Sequence, residues 1–177
     1  QTFFTQEVPI ISDNSEFANS FEISKFKKLS TRSDTVGKIS FYAKTITGLS
    51  DDVRISKRLN VPSSRLRGFQ RGKVGRVENN DYIGGNHVTS LNFSATLPTI
   101  VQGLDNLDVG IFLDAANIWG VDYDSSLDDK STLRSSTGVA LNLMTPIGPL
   151  SFSFANALSK ASTDKTETFR FNLGTQF

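Results

Sequence analysis

Apolar and polar side chains alternate along most of this chain, which is the pattern of β-strands that bury one face and expose the other. In residues 107–120 the odd positions are mainly large and apolar, and the even ones include Asp108, Gly110, Phe112 and Asp114. Because successive side chains of a strand point to opposite faces, this segment is predicted to be a strand with one apolar face and one smaller, more polar face.

The same period of two recurs in seven further segments, which are separated by stretches rich in turn-forming residues. They are residues 2–12, 16–29, 36–47, 86–99, 133–145, 150–158 and 167–177. Strands of roughly 10 residues exceed the 5 or 6 common in soluble sheets and match the 9 to 11 with which a tilted strand crosses a bilayer. Trp119, at the end of an apolar strand face, fits the aromatic girdle of a membrane barrel. We therefore predict an all-β, antiparallel transmembrane β-barrel fold of about eight strands in one domain.

Composition and charge agree with this prediction and exclude several other classes. The sequence has no run of about 18 apolar residues, which excludes a transmembrane helix. The mean hydropathy of -0.22 suits strands that alternate lipid-facing and lumen-facing residues. A net charge of +1 provides no overall attraction to nucleic acid, and the absence of cysteine excludes disulfides. Because the chain begins at Gln1 without a methionine or a signal, we expect a mature product or a piece of a longer protein.

One long segment, residues 48–85, interrupts the alternation and shows no helical period either. Structureless connections longer than about 15 residues in a compact domain are generally functional or disordered. For the outer arginines of this basic segment we expect exposure to solvent, whereas the central tripeptide Arg67-Gly68-Phe69 is the candidate functional motif. The basic residues of the segment are Arg54, Lys57, Arg58, Arg65, Arg67, Arg71, Lys73 and Arg76.

No catalytic constellation is recognisable, so we expect a protein that is not an enzyme and that uses no cofactor or metal. The single histidine, His87, follows Gly84-Gly85-Asn86 without a nucleophile motif or metal-spaced partners. The acidic segment 120–132 lacks the glycine and the glutamate of a calcium loop. A lipase-type barrel is the enzymatic alternative, but no serine or carboxylate is placed beside His87.

Six blocks of sequence stand out by their order and spacing. They are Arg67-Gly68-Phe69, Ile83-Gly84-Gly85-Asn86, Phe112-Leu113-Asp114-Ala115-Ala116-Asn117-Ile118-Trp119, Ser136-Thr137-Gly138, Thr145-Pro146-Ile147-Gly148-Pro149, and a strand that ends in Phe177. Together they resemble the barrel of the bacterial outer-membrane protein assembly factors, the BamA family, and several blocks are most similar to those of its alphaproteobacterial members. The resemblance is specific for residues 36–177 and covers the carboxy-terminal half of the family's barrel.

The resemblance implies that residues 1–177 are the carboxy-terminal part of a sixteen-stranded barrel preceded by periplasmic POTRA domains. Residues 48–85 would be the sixth extracellular loop, folded into the lumen. The implied function is the assembly and insertion of β-barrel proteins into the bacterial outer membrane, without a cofactor. The implied partners are outer-membrane lipid, unfolded β-barrel clients and, through the upstream domains, accessory lipoproteins of the assembly complex.

The resemblance also implies that Arg67 contacts acidic residues on neighbouring strands. Asp114 is the candidate because it lies on the polar strand face and because the planar guanidinium suits a bidentate carboxylate. On the preceding strand Asn92 also lies on the polar face, at a position where the family often has a glutamate. We expect Asn92 to accept one hydrogen bond but to bring no charge, so that Asp114 dominates the loop anchor. In the alternative interpretation Arg67 is a solvated loop charge and Asp114 a turn former.

The final predicted strand places Phe169, Phe171, Leu173 and Phe177 on one face. It resembles the carboxy-terminal signal by which outer-membrane barrels are recognised, and it would equally serve as a barrel-closing strand. Gly174 is compatible with a weakly paired edge, which in the family would form one side of a seam with the first strand.

Two alternatives to an assembly factor remain open from the sequence. A polypeptide-secretion pore of the same superfamily shares the loop motif but exports its client. An autonomous eight-stranded barrel could act as an anchor or adhesin, since about eight strands can close alone.

Overall fold

The computed structural model describes residues 1–8, 16–31, 35–97, 106–122, 132–146 and 148–173. Within these residues the chain forms ten β-strands, numbered here in chain order, and one short 3-10 helix, Ile55–Lys57. The strands are β1 (Thr2–Glu7), β2 (Glu16–Lys28), β3 (Val36–Gly48), β4 (Val77–Glu78), β5 (Asp81–Tyr82), β6 (His87–Thr96), β7 (Leu107–Trp119), β8 (Arg134–Thr145), β9 (Gly148–Ser159) and β10 (Phe169–Leu173).

Eight of these strands form one antiparallel sheet in the order β1-β2-β3-β6-β7-β8-β9-β10, and β4 and β5 form a separate hairpin. The predicted all-β antiparallel fold of about eight strands is therefore confirmed. The edges of the sheet are β1 and β10, which do not pair with each other in the part of the chain that is described. An autonomous, closed eight-stranded barrel is thus not what these residues form.

The register of the strands aligns residues of the same character across the sheet. A polar row runs from Ser24 to Ser40, Asn92, Asp114 and Ser136, each of which is the direct partner of the next. Since side chains alternate between the two faces along each strand, this register gathers the small and polar positions on one face and the large apolar positions on the other.

The apolar face is exposed, which is the reverse of the arrangement in a soluble protein. Strands of 13 residues, such as β2 and β7, extend about 43 Å and at a tilt of about 45° span about 30 Å, the thickness of a bilayer core. An exposed apolar face of this height suits contact with lipid. Its large side chains include Phe21, Ile23, Ile39, Phe41, Leu91, Phe93, Ile111, Leu113, Val139, Phe154, Phe169 and Phe171.

The long segment between β3 and β6 lies against the polar face and has structure of its own, contrary to the expectation of a structureless loop. It contains the 3-10 helix and the β4–β5 hairpin, and Val61, Leu66, Phe69 and Val74 in it are buried. The alternation of period two could not reveal these short elements because each is only two or three residues long. No helix among the described residues is long and apolar enough to cross a membrane.

Candidate functional site at the Arg-Gly-Phe loop

The Arg-Gly-Phe motif lies where the long loop meets the polar face of the sheet. Leu66 and Phe69 are each 1% exposed and pack in a cluster with Val88 on β6 and with Ala116 and Ile118 on β7. On this face, the strand ends that adjoin the loop therefore carry apolar side chains, whereas the middle of the strands carries polar ones. Burial of these side chains docks the loop and places the arginine between them over the polar part of the sheet.

Gly68 allows the loop to approach the sheet closely. Its φ of +85° lies in the left-handed region, and a Cβ at this position would be 3.0 Å from the Cβ of Ala155 and 3.4 Å from that of Ser136. A residue with a side chain is strained at such a φ. Glycine is thus required here both for the turn and for the contact with β8 and β9.

Arg67 and Asp114 form a bidentate ion pair. The Nε of Arg67 donates to Asp114 Oδ2 at 2.7 Å and its Nη2 donates to Oδ1 at 2.8 Å. The backbone N–H of Arg67 donates to Oδ2 as well, at 3.1 Å. The parallel geometry matches the planar fork of the guanidinium, which fixes direction as well as distance.

Asp114 is completely buried, so its charge must be neutralised and hydrogen-bonded within the protein. Asn92 supplies a fourth donor, because its Nδ2 lies 2.9 Å from Asp114 Oδ1. The same nitrogen donates to the carbonyl oxygen of Arg65 at 2.7 Å. The Asn92 oxygen does accept one hydrogen bond, but from the Ser90 hydroxyl at 3.2 Å. Asn92 therefore acts as a hydrogen-bond donor toward both the loop and Asp114. A carboxylate oxygen can only accept hydrogen bonds, so the amide nitrogen of Asn92, and not its oxygen, faces Asp114.

The ring of Phe112 forms the floor beneath the arginine. The guanidinium carbon of Arg67 lies 3.5 Å from the centroid of this ring, a cation–π contact in a partly desolvated site. Gly138 makes room for the ring, because a Cβ there would lie 2.8 Å from Phe112 Cζ and 2.0 Å from the carbonyl oxygen of Phe154. Sequence reasoning placed Phe112 on the polar face but did not assign it to the site.

Two further arginines of the loop are paired with carboxylates, which corrects the expectation that the outer arginines are solvated. Arg58 has a side chain only 1% exposed and pairs with Asp122 at 2.6 Å, and Arg65 pairs with Glu22 at 2.6 Å. The pairings were missed because they join residues far apart in sequence. Solvent exposure is found for Arg54 and Arg71.

The pKa of Asp122 lies below its ordinary value. Burial acts to raise this pKa, but it is outweighed by hydrogen bonds from the Val53 N–H, from Asn86 and from the backbone of Asp122 itself, together with the positive charge of Arg58. The Val53 N–H lies 2.8 Å from Asp122 Oδ2. The charged Asp122 carboxylate thus holds the beginning of the loop beside the end of β7.

A further ion pair, between Arg134 on β8 and Asp164, is completely buried and was not predicted. The Nε of Arg134 donates to Asp164 Oδ2 at 2.9 Å, and both side chains are 0% exposed. Asp164 also accepts the N–H of Gly75 from the loop at 2.9 Å. The even position of Arg134, two residues before the buried Ser136, was the available signal that it shares the polar face.

The predicted signal residues of the final strand lie on the apolar face. Phe169, Phe171 and Leu173 are exposed, and the ring centroid of Phe171 is 5.1 Å from that of Phe152 on β9. They form part of the surface suited to lipid, on the face of β10 opposite Arg170. Two other residues assigned to this signal, Gly174 and Phe177, lie outside the described residues.

The described residues contain no group of three or more His, Cys, Asp or Glu side chains that could hold a metal ion. His87 packs against Trp119, with ring centroids 5.5 Å apart. The charged side chains of the polar face form ion pairs with residues of the loop and its surroundings, and these pairs can hold the loop in one position.

Comparison with known proteins shows which family the chain resembles. The Omp85 superfamily domain matches residues 2–177. The outer membrane protein assembly factor BamA of Neisseria meningitidis serogroup B is 30% identical over 63% of this chain, and that of Neorickettsia risticii is 29% identical over 64%. The crystal structure of BamA from Haemophilus ducreyi lacking POTRA domains 1–3 matches 95% of this chain with a TM-score of 0.80 and 25% identity. The chain spans 17% and 16% of the two curated relatives and 36% of the solved chain.

Proposed function

This chain belongs to the Omp85 superfamily, and we propose that it is the carboxy-terminal part of an outer-membrane barrel that assembles and inserts other β-barrel proteins in a bacterium. The assembly-factor names of its relatives support this proposal. The proposed partners are outer-membrane lipid, unfolded β-barrel clients and, through domains outside this chain, accessory lipoproteins.

The observation that carries the proposal is an edge strand on a sheet with an exposed apolar face. Among the described strands, β10 pairs with β9 and with no other. Within hydrocarbon every backbone N–H and C=O needs a partner, and an added client strand would satisfy both the edge and itself. In this proposal β10 forms one side of the seam at which clients enter, and β1 meets the remainder of the barrel.

The Arg67–Asp114 pair is proposed to anchor the loop inside the lumen. The bidentate geometry and the complete burial of Asp114 support this role. A loop held in one position on the polar face would keep the shape of the inner surface constant while the β10 edge exchanges one partner strand for another. The anchor would thus contribute to client insertion by positioning, without chemistry of its own.

The proposal is tested with the full-length protein reconstituted in liposomes and supplied with an unfolded β-barrel client. We expect the client to become protease-resistant and to show the heat-dependent gel mobility of a folded barrel in the bilayer, at a rate above that of protein-free liposomes. Delivery of the client through the bilayer in soluble form would instead indicate the secretion pore. A client that remains unfolded and protease-sensitive would refute both functions.

A further inference from the structure

Arg170 joins the last described strand to the long loop. It lies on the polar face of β10, and its Nη1 donates to the carbonyl oxygen of Ser63 at 2.6 Å. Its Nη2 donates to the carbonyl oxygen of Phe69, and its Nε to Glu167. The side chain is 12% exposed. All three guanidinium nitrogens are thus engaged, two of them by backbone of the Arg-Gly-Phe loop.

The backbone just before β10 is hydrogen-bonded to the same part of the loop. Phe69 and Thr166 form an isolated antiparallel bridge. The flanking bonds run from Gln70 N to Lys165 O (2.9 Å), from Lys165 N to Lys73 O (3.0 Å) and from Glu167 N to Gly68 O (3.0 Å). The loop therefore follows the approach to β10 as an additional strand would, and Arg170 closes this ladder at the point where β10 begins.

In the part of the chain that is described, β10 is an edge strand of the sheet. It pairs only with β9 among the described strands, whereas β8 and β9 each pair with a strand on both sides. The outer side of an edge strand presents backbone N–H and C=O groups that have no partner strand. The bonds to the loop therefore add to those from β9 in holding the start of β10 in place.

We propose that Arg170 is a positioning residue that couples docking of the Arg-Gly-Phe loop to attachment of β10. The loop is held from one side by Asp114 on β7 and from the other by Arg170 on β10, so displacement of either end loosens the other. Arginine suits this role because its planar fork reaches two carbonyl oxygens and a carboxylate at once, which the ammonium group of lysine cannot reproduce. If the proposed function holds, on which this consequence rests, a client that displaces β10 also loosens the loop.

The test is hydrogen exchange in the full-length protein in lipid nanodiscs, without a client. In Arg170→Gln we expect amides of residues 164–171 and 65–70 to exchange about tenfold faster, since hydrogen bonds from a charged donor are lost. Asn172→Ala, on the same face of the same strand, is the matched control and should leave both segments unchanged. Equal exchange in Arg170→Gln and wild type would overturn the proposal. If Arg170→Gln does not fold, Arg170→Lys replaces it, with a smaller acceleration expected and the same overturning result.

Coupling is distinguished from simple destabilisation by a double-variant cycle. Asp114→Asn should accelerate exchange in residues 164–171 when Arg170 is present and have little further effect there in the Arg170→Gln background. If Asp114→Asn accelerates exchange in residues 164–171 equally in both backgrounds, the coupling is refuted. Because no client is present, these outcomes decide the coupling alone, whereas failure of wild-type client insertion would refute the proposed function and leave the exchange result standing.

Discussion

Replacement of Asp114 by asparagine removes the charge that the loop arginine requires. The oxygen of the new amide could still accept one hydrogen bond, but its nitrogen would face a guanidinium donor. Breaking a buried ion pair on one side typically costs about 3 to 5 kcal/mol. We expect the lower end, about 3 kcal/mol, because the Arg67 side chain is 21% exposed and can recover some hydration. At about 1.4 kcal/mol per factor of ten, this corresponds to a roughly hundredfold weaker local docking of the loop.

The assay is hydrogen exchange of the full-length protein in nanodiscs, measured on peptides that cover residues 65–70. Asp114→Asn should accelerate exchange there by up to about a hundredfold. The matched control is Asp108→Asn, a substitution at an exposed position on the same strand and face. In parallel, the Asp114 variant should fail to support growth of a strain depleted of the natural protein, whereas the Asp108 variant should support it. Unchanged exchange and growth in Asp114→Asn would refute the anchoring role of this ion pair.

Three further predictions concern other parts of the molecule. Phe171→Lys should block barrel assembly, because a lysine on the lipid face costs about 2 to 4 kcal/mol at mid-membrane, whereas Asn172→Lys on the polar face should assemble normally; heat-dependent gel mobility distinguishes them. Gly68→Ala should destabilise the docked loop by at least about 1 to 2 kcal/mol through its backbone strain, and its Cβ would also crowd Ala155. Gly72 has a positive φ as well (+66°), but a Cβ there meets nothing within 4 Å, so Gly72→Ala should accelerate exchange of the loop less. The pKa of Asp122 is lowered in the folded state, so the stability that its carboxylate contributes is present above about pH 4 and is lost as pH falls through the folded pKa. In wild type, hydrogen exchange at the beginning of the loop, corrected for intrinsic rates, should therefore become faster at acidic pH. In Asp122→Asn the corrected exchange should not depend on pH.

The strands and their faces could be predicted because the information is local. A period of two assigns each residue to a face without knowledge of its neighbours, and it placed Asp114 and Asn92 together on the polar face. Their direct pairing in register follows once adjacent antiparallel strands are assumed. The resemblance in the loop motif then supplied Arg67 as the partner.

The remaining contacts could not be predicted because they depend on how the loop folds. Arg58 and Asp122 are 64 residues apart in sequence, and Arg170 contacts Ser63 across 107 residues. No local period encodes such pairings, and a basic loop is usually solvated. The donor role of Asn92 was also hidden, since an amide can donate or accept and only the position of the Asp114 carboxylate decides between the two.

Two kinds of interaction hold the loop, burial of apolar side chains and the Arg67–Asp114 ion pair, and they contribute differently. Fully burying apolar side chains such as Leu66 and Phe69 contributes about 1.5 to 3 kcal/mol each, whereas a buried ion pair contributes little net free energy after desolvation. Apolar contacts therefore provide most of the docking free energy, and the Arg67–Asp114 pair provides direction, because a misplaced loop would leave a buried carboxylate without donors. This division explains why the site combines apolar residues at the strand ends with one charge deeper on the polar face, and why loss of that charge should disturb the position of the loop before it abolishes its attachment.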